Sequence, residues 1–533
     1  MDIEYNLLKE PWINAMDLTG KTCVMGIEPL LKRAHELREI IDSSPVIQYS
    51  IYRFLIAFVM DAFTIQDIED IELILDNGQL DKEIINNYIK KWYNRFDLFD
   101  SEHPFYQSPP SQYDPSEVKD VSELFMQFPT GVSPIHFYHM KSEEHAISPE
   151  ICAKGLCTIP AFALQGGAGY SPGINGTPPW YILVTGKNLY ETLVLNSCGM
   201  PIAEASGSGS VAWRNDEPLI PKKEVKEVSI LKGLTFQPRF IRLIPTEGGI
   251  CSYMNKDSKV LVRDIYYQPG LKWRGDWRDP HVAYSYGKTI ISIRPQKGRE
   301  IWRDTGPLAL LKRKESNNIK FDRPVIVTQF KTLQEKLILE EEKSLDLQVY
   351  GIRAKQKKIY EWQYTHLTLP IKLILSEESG IVLQNAMERA EKVYYALKSA
   401  IKIMHPGEAK RNTEEQTQKK KKKIKKGSEK LFDKIQDRAT RRFWKALEPQ
   451  FKGKFLIELA RVVETSNWGP VELMWLEDLR NIGNQILRET IGPLDTDADF
   501  IKRQVQAEQK YSIFTYKIFK ELIEQNKTKK EEK

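Results

Sequence analysis

The chain has 533 residues and a mass of 61.8 kDa, more than the roughly 250–300 residues at which a single hydrophobic core stops growing. Two domains, or three, are therefore expected. Hydrophobic residues make up 41% and charged residues 28% of the chain, which excludes a disordered, collagen-like or membrane-embedded protein. The net charge of +6 is a local property, because ten Lys/Arg and only three Glu lie between Lys410 and Lys430.

The cysteines and the N-terminal sequence indicate a cytoplasmic protein. Five cysteines are few, odd in number and scattered, which does not fit a disulfide framework. The first residues, MDIEYNLLKEPW, lack the basic and apolar regions of a secretory signal. The most apolar window begins at Val46 and is interrupted by Arg53 and Asp61, so it predicts a buried helix and no membrane association.

The first three-quarters of the sequence mixes helical, loop-rich and strand-like segments. A buried helix is expected over Val46–Phe63. Three β-branched and aromatic runs bounded by Pro or Gly predict strands at Thr235–Pro245, Val260–Tyr267 and Lys288–Pro295. The fold class expected is α+β, with a large, irregular mixed domain over residues 1–376.

The last 150 residues have a helical pattern. From Leu383 to Met404 apolar residues recur at spacings of three and four, which predicts an amphipathic helix that ends at His405-Pro406-Gly407. Three more helices are expected at about 428–448, 470–489 and 497–525. Together they predict a C-terminal four-helix bundle over residues 377–533, with a lysine-rich loop at 408–427 between its first two helices. The domain boundary is placed near Ser376–Gly380.

The residues give little indication of catalysis or of a cofactor. Hydrolase, zinc-protease and phosphate-binding-loop motifs are absent, and none of the carboxylates or serines forms a recognisable active site. Three histidines and two cysteines fall within 22 residues, but their spacing lacks the compact pairs of a zinc site. Ordinary loop residues are the favoured interpretation, and neither a metal nor a cofactor is expected. These five residues are His136, His139, His145, Cys152 and Cys157.

A glycine-rich segment runs from Gln165 to Trp180 and lacks the order of a dinucleotide-binding motif. Gly166, Gly167 and Gly169 leave the backbone accessible to close approach. One interpretation is a wide turn between two strands. The alternative is a backbone surface that presses against a nucleic-acid groove.

Two basic segments allow similar alternatives. Residues 351–362, GIRAKQKKIYEW, fit either a solvated basic helix face or a nucleic-acid contact. The lysine run 419–426 fits either a phosphate-binding or a solubilising loop. Cationic segments bind any polyanion, so the run predicts no sequence specificity.

Several motifs in this order resemble the CasA family, the large subunits of the type I-E CRISPR surveillance complex Cascade. The resemblance covers nearly the full length, and it rests on the motif order and the domain plan. The motifs are NLL-x2-PWI at 6–13, HPFYQ at 103–107, HFYH at 136–139, NGTP at 175–178, LTFQP at 234–238, the element at 353–356 and the C-terminal bundle.

The resemblance implies a non-catalytic subunit that recognises the protospacer-adjacent motif in double-stranded target DNA through the minor groove. It implies help with unwinding for R-loop formation, and as partners it implies guide-RNA-loaded Cascade subunits and a helicase-nuclease effector. An interaction scaffold without direct sequence-dependent DNA contact is the alternative. A nucleic-acid hydrolase is a more distant one.

The resemblance also implies roles for individual residues. The glycine loop at the minor groove corresponds to Gly166, Gly167 and Ala168, with Gly169 beside them, and Lys272 is the candidate lysine facing the same groove. The glutamine wedge corresponds to Gln356, flanked by Lys355 and Lys357, where some relatives have an asparagine and a small residue. Contact with the guide-bearing core is assigned to Phe137, Tyr138 and His139. The long lysine-rich insertion departs from the family, and nonspecific phosphate contact is expected there from charge alone, at Lys419, Lys420, Lys421, Lys422 and Lys423.

Overall fold

The structure is a computed structural model, and it divides into two compact units. One unit comprises Met1–Lys297 and Pro307–Thr368, and the other comprises Gly298–Gly306 and Leu369–Lys533. The domain boundary predicted after residue 376 stays a prediction. The residues described are 3–108, 115–126, 135–136, 139–140, 145–167, 169–217, 219–313, 319–336, 339, 343–355, 358–404, 421–492 and 497–531.

Helix α2 (Pro45–Ala62) forms the centre of the first unit, and its bounds agree within one residue with the buried helix predicted over Val46–Phe63. Pro45 occupies its first turn, where the missing N–H costs no hydrogen bond. Nearly every side chain of α2 is buried, and aromatic rings surround Phe54 and Phe58. The helices of this unit are α1 (Ile27–Lys32), α2 (Pro45–Ala62), α3 (Ile68–Asp76), α4 (Lys82–Trp92), α5 (Pro149–Phe162), α6 (Leu189–Leu195), α7 (Ile230–Leu234) and α8 (Val325–Glu335).

The described strands form small sheets of two or three strands. The strands are β1 (Ile13–Asp17), β2 (Thr22–Met25), β3 (Leu37–Ile40), β4 (Val118–Asp120), β5 (Ile135–His136), β6 (His139–Met140), β7 (Tyr181–Val184), β8 (Glu224–Val225), β9 (Arg239–Cys251), β10 (Lys256–Pro269), β11 (Lys272–Trp273), β12 (Tyr284–Tyr286), β13 (Ile290–Ser292), β14 (Phe321–Asp322), β15 (Ser344–Lys355) and β16 (Lys358–Pro370). Their orders are β2-β1-β3, β4-β10-β9, β13-β12-β14, β16-β15-β7, β11-β8 and β5-β6.

Two pairings determine where the glycine-rich segment lies. Strands β9 and β10 form a long antiparallel hairpin whose register places Arg239 opposite Pro269. Strand β15 pairs antiparallel with β7, with Tyr350 opposite Tyr181, the residue that follows the segment. The strand predicted at Val260–Tyr267 is confirmed within β10, and those predicted at 235–245 and 288–295 are confirmed in part, by β9 from Arg239 and by β13. The predicted basic helix face at 351–362 is wrong, because residues 351–355 belong to β15 and residues 358–362 to β16.

The second unit is helical. Ser376 caps α10, since its hydroxyl accepts a hydrogen bond from the Ser379 N–H. The residues that repeat from Leu383 are buried along α10, as the spacing predicts. The helices are α9 (Ile371–Leu375), α10 (Glu377–Ile403), α11 (Lys421–Gln450), α12 (Leu456–Arg461), α13 (Gly469–Ile491) and α14 (Ala498–Glu531), with a π-helical turn at Phe451–Phe455 between α11 and α12.

The α+β class with a C-terminal four-helix region is confirmed. One expectation within it is wrong: residues 421–427, predicted as part of a lysine-rich loop, belong to α11. Lysine has a good helix propensity, so a run of lysines is compatible with a first helical turn. In the described part of the chain, no helix has the length and apolar character needed to cross a membrane.

Candidate nucleic-acid interface

The glycine-rich segment follows α5 and leads into β7, so the expectation of a turn between two strands is wrong. Its first part is a tight turn, in which the Gly166 N–H donates to the Tyr170 carbonyl and the Tyr170 N–H to the Gly167 carbonyl, both at 3.1 Å. Gly169 has a φ of +89°, a conformation that favours glycine. Ala168 lies outside the described residues. Gly167 is exposed, so its backbone is open to a ligand.

Arg239 holds the two ends of this turn together. Its guanidinium donates hydrogen bonds to the carbonyl oxygens of Leu164 and Ser171, each at 2.5 Å. It also donates to the Tyr267 hydroxyl at 3.1 Å. The Arg239 side chain is buried, and its planar group has enough N–H donors for all these acceptors. The residues between Leu164 and Ser171 are therefore closed into a loop by one side chain.

Tyr170 fixes the inner side of the turn. Its ring stacks on Tyr267 at a centroid distance of 5.9 Å, and its hydroxyl donates to the Tyr267 carbonyl at 3.0 Å. The Lys119 ammonium donates to the Tyr170 hydroxyl and lies 4.5 Å from the ring centroid. Burial, together with the nearby Glu117 carboxylate, raises the pKa of Tyr170 to about 12. Tyr170 is thus a neutral hydrogen-bond donor at physiological pH.

A buried ion pair anchors the other end of the glycine-rich segment. The Asn175 amide donates to the Asp279 carboxylate at 2.8 Å, and the Arg53 guanidinium donates to the same oxygen at 2.7 Å. Arg53 also donates to the Leu234 carbonyl at the end of α7. Both charged side chains are buried, and a buried charge requires a partner of this kind. The segment is therefore connected to the central helix α2.

Lys272 lies in β11, which pairs in parallel with β8. Its ammonium forms an ion pair with the Glu224 carboxylate at 2.8 Å, and Arg274 contacts the same oxygen at 3.3 Å. The charge of Lys272 is therefore shared with an acidic side chain of the protein. The positive charge of Lys272, the lysine expected to face the groove, is thus partly balanced within the protein.

The wedge element lies at the junction of β15 and β16. Lys355 is the last residue of β15, while Gln356 and Lys357 lie outside the described residues. Arg353 forms an ion pair with Glu361 at 2.8 Å. Gly351 allows β15 to pass close to Trp180 at the end of the glycine-rich segment: a Cβ there would lie 2.4 Å from the indole ring. Strand β15, which ends at the wedge element, thus pairs with β7, the strand into which the glycine-rich segment leads.

The histidine and cysteine region does not form a metal site in the part of the chain that is described. His136 and His139 pair in a backbone bridge between β5 and β6, and Phe137 and Tyr138 lie outside the described residues. Cys152 and Cys157 are buried in α5, so the expectation of ordinary loop residues is wrong for them. Burial raises the pKa of both thiols, which disfavours the thiolates that bind zinc. Within the described ranges, no three His, Cys, Asp or Glu side chains come together to hold an ion.

The lysine run is only partly described. Lys419 and Lys420 lie outside the described residues, and Lys421, Lys422 and Lys423 begin α11.

The sequence did not single out Lys119, Tyr170, Arg239 or Asp279, which hold the glycine-rich segment. Their partners are distant in the chain and no motif marks them. Arg53 was visible as a charge within an apolar helix, which by itself indicates a buried partner.

Comparison with known proteins gives a consistent result. The family model described as CRISPR-associated protein Cse1 matches residues 6–486. A CasA/Cse1 protein of Thermus thermophilus is 26% identical over 95% of this chain and 96% of its own length. The crystal structure of Thermus thermophilus CasA superimposes with a TM-score of 0.73 at 23% identity, covering 97% of this chain and all of that one. A chain of a solved CRISPR RNA-guided surveillance complex gives 0.72 at 18% identity, covering 95% and 99%.

Proposed function

The chain belongs to the CRISPR-associated protein Cse1 family, and from this membership we propose that it is a non-catalytic subunit of the surveillance complex Cascade. Its task there is to recognise a short motif that flanks the target in duplex DNA. A structural relative that is a chain of an RNA-guided surveillance complex supports this assignment. The proposed partners are double-stranded target DNA, the guide-RNA-loaded subunits and a helicase-nuclease, and the proposed compartment is the cytoplasm.

The proposal rests mainly on the turn at Gly166–Tyr170, whose backbone is exposed at Gly167 but is held in place by hydrogen bonds. A Cβ added at Gly167 would have no atom within 4 Å, so the protein itself does not require glycine there. Yet hydrogen bonds made by the Arg239 and Tyr170 side chains hold the turn in place. A bare backbone held in place suits entry into a minor groove about 6 Å wide. Because that groove distinguishes base pairs poorly, several related motifs are expected to be accepted.

Other residues have supporting roles in this proposal. Gln356 wedges beside the first base pair, where unstacking costs about a few kcal/mol, and Lys355 and Lys357 contact nearby phosphates. Guide pairing can then begin at this end, since the exchange of DNA duplex for heteroduplex is nearly balanced. Lys272 lies toward the same groove. Residues 137–139 contact the guide-bearing core, and residues 419–423 in the helical unit contact phosphates without sequence preference.

Binding of a guide-loaded core complex to target duplexes, with and without this chain, tests the proposal. The duplexes share one target and differ in the flanking trinucleotide. Addition of the chain is expected to strengthen binding for a subset of flanks. An equal increase for all flanks, or no increase, would instead identify the chain as a scaffold or a nonspecific clamp.

Gln356→Ala tests the wedge separately. The variant is expected to assemble normally but to open the target duplex at least tenfold more slowly, because the unstacked base pair loses its replacement contact. Opening is followed by the fluorescence of a base analogue beside the motif. Equal losses of assembly and of opening would contradict the wedge assignment.

A further inference from the structure

We propose that Lys222 is a further DNA-contacting residue, whose ammonium group binds a backbone phosphate beside the Gly166–Gly169 turn. The inference rests on the proposed function and adds to it a cation that the sequence did not indicate. Lys222 lies 53 residues from Gly169 in the chain and belongs to none of the recognised motifs. Three observations carry it: its position, its backbone conformation and its free charge.

The Lys222 side chain lies directly against Gly169. A Cβ added at Gly169 would lie 2.7 Å from Lys222 Cε and 3.2 Å from Lys222 Nζ. The positive φ accounts for glycine at position 169, and the Lys222 side chain is the group that a Cβ there would meet first. The ammonium therefore lies at the edge of the exposed turn, where a duplex that reaches Gly167 would present its phosphates.

The backbone of Lys222 is fixed in an unfavourable conformation. Its φ of +61° is left-handed, which residues with a Cβ rarely adopt. The conformation is maintained because the Lys222 N–H donates to the Gly270 carbonyl at 2.9 Å. Gly270 is itself bonded to the Pro238 carbonyl, next to Arg239. The attachment of Lys222 thus belongs to the same framework that holds the glycine turn.

Lys222 and Lys272 differ in their ion pairing. Lys272 is paired with Glu224, but no described residue forms an ion pair or a side-chain hydrogen bond with the Lys222 ammonium. Lys222 is also exposed. An ammonium group is a compact point charge with three donors, which suits a phosphate oxygen better than a base edge. Its contribution is therefore expected to be independent of the flanking sequence.

Lys222→Gln, in the fully assembled guide-loaded complex, tests this inference through the salt dependence of duplex binding. One lost phosphate contact changes the slope of log K against log salt by about 0.9, so between 50 and 200 mM salt the variant should lose about 3.5-fold less affinity than wild type. Permissive and nonpermissive flanks should be affected equally. Lys223→Gln is the matched control, because Lys223 is also exposed and the change in net charge is identical.

Lys222→Gly separates DNA contact from folding. Glycine relieves the left-handed backbone, so the variant should unfold at the same or a higher temperature than wild type while showing the same weakened binding as Lys222→Gln. An unchanged salt slope in both variants, or the same change in Lys223→Gln, would overturn the inference. If the Lys222 variants bind normally while Gly167→Val loses motif dependence, only this inference fails. If none of these changes affects binding, the proposed function fails as well.

Discussion

Along α10, apolar side chains three and four residues apart pack into the interior of the helical unit, where the Trp475 indole donates to the Ala386 carbonyl. The glycine turn at 166–170 is held mainly by hydrogen bonds, together with the stacking of Tyr170 on Tyr267. Its hydrogen-bond partners come from three distant strands: the Arg239 guanidinium from β9, the Tyr267 carbonyl from β10 and the Lys119 ammonium from β4. The helical unit is thus stabilised by buried area, and the turn by directed hydrogen bonds.

The two regions are therefore expected to respond differently to substitution. Buried apolar area is spread over many residues, so its loss appears as reduced stability. Directed bonds determine the position of a few backbone atoms, so their loss appears as a displaced turn and altered DNA recognition. The predictions below are ordered by the expected change in the free energy of unfolding.

The largest effect is expected for Trp475→Ala. Trp475 is fully buried and packs against Phe455 at a centroid distance of 4.9 Å. Its removal leaves a cavity and deletes the indole hydrogen bond to α10, with an expected cost of about 3–5 kcal/mol, measured by chemical denaturation. Tyr395→Ala, at a 62% exposed position on α10, is the control and should cost less than about 0.5 kcal/mol. Similar costs for the two variants would contradict the described packing.

Arg239→Leu should reduce the free energy of unfolding by an intermediate amount and should strongly increase the mobility of the glycine turn. The carbonyls of Leu164 and Ser171 lose their donor in a partly buried site, which costs about 2–3 kcal/mol. Hydrogen exchange of residues 164–171 is expected to rise at least tenfold. Arg239→Lys should not restore protection, because one ammonium cannot reproduce the geometry of the guanidinium. Arg242→Leu, on the same strand, is the control. An equal rise in hydrogen exchange of residues 164–171 in that variant would contradict the specific role of Arg239 in holding the turn.

Gly169→Ala should give the smallest change in stability. The positive φ disfavours a Cβ by about 1–2 kcal/mol, and the new methyl group would displace Lys222. Gly167→Ala is the matched control two residues away, where the methyl group enters open space and should change stability by less than about 0.5 kcal/mol. Thermal unfolding distinguishes them, and an equal loss in both variants would show that the two glycines do not differ as described.

The sequence predicted the helical unit and α2 well, because the spacing of apolar residues is a local property of a helix. Pattern alone failed at 351–362. There, the basic residues fit a solvated helix face, but the described residues belong to β15 and β16, which are neighbours in one sheet with β7. The third strand of that sheet, β7, is far away in the sequence, so the sheet leaves no complete local pattern.

The candidate site was predictable only in part, for the same reason. The glycines stood out as a cluster, and family resemblance supplied Lys272 and Gln356. Which cation lies beside the turn depends on how residues 220–226 pair with 270–274, since that pairing brings Lys222 to Gly169 and Glu224 to Lys272. The roles of Arg239 and Lys222 follow from this arrangement. Neither role could be predicted from the residues adjacent in the sequence.

The most direct test of the central claim is motif-dependent duplex binding by the assembled complex carrying Gly167→Val. A Cβ at this position has no protein atom within 4 Å, so unfolding temperature and assembly are expected to match wild type. Gly453→Val, at an open and exposed position in the helical unit, is the control and should bind normally. We predict that Gly167→Val loses at least tenfold in affinity for permissive flanks and no longer distinguishes them from scrambled ones. Wild-type affinity and motif preference in a stable, assembled Gly167→Val complex would contradict the claim that this exposed backbone enters the groove.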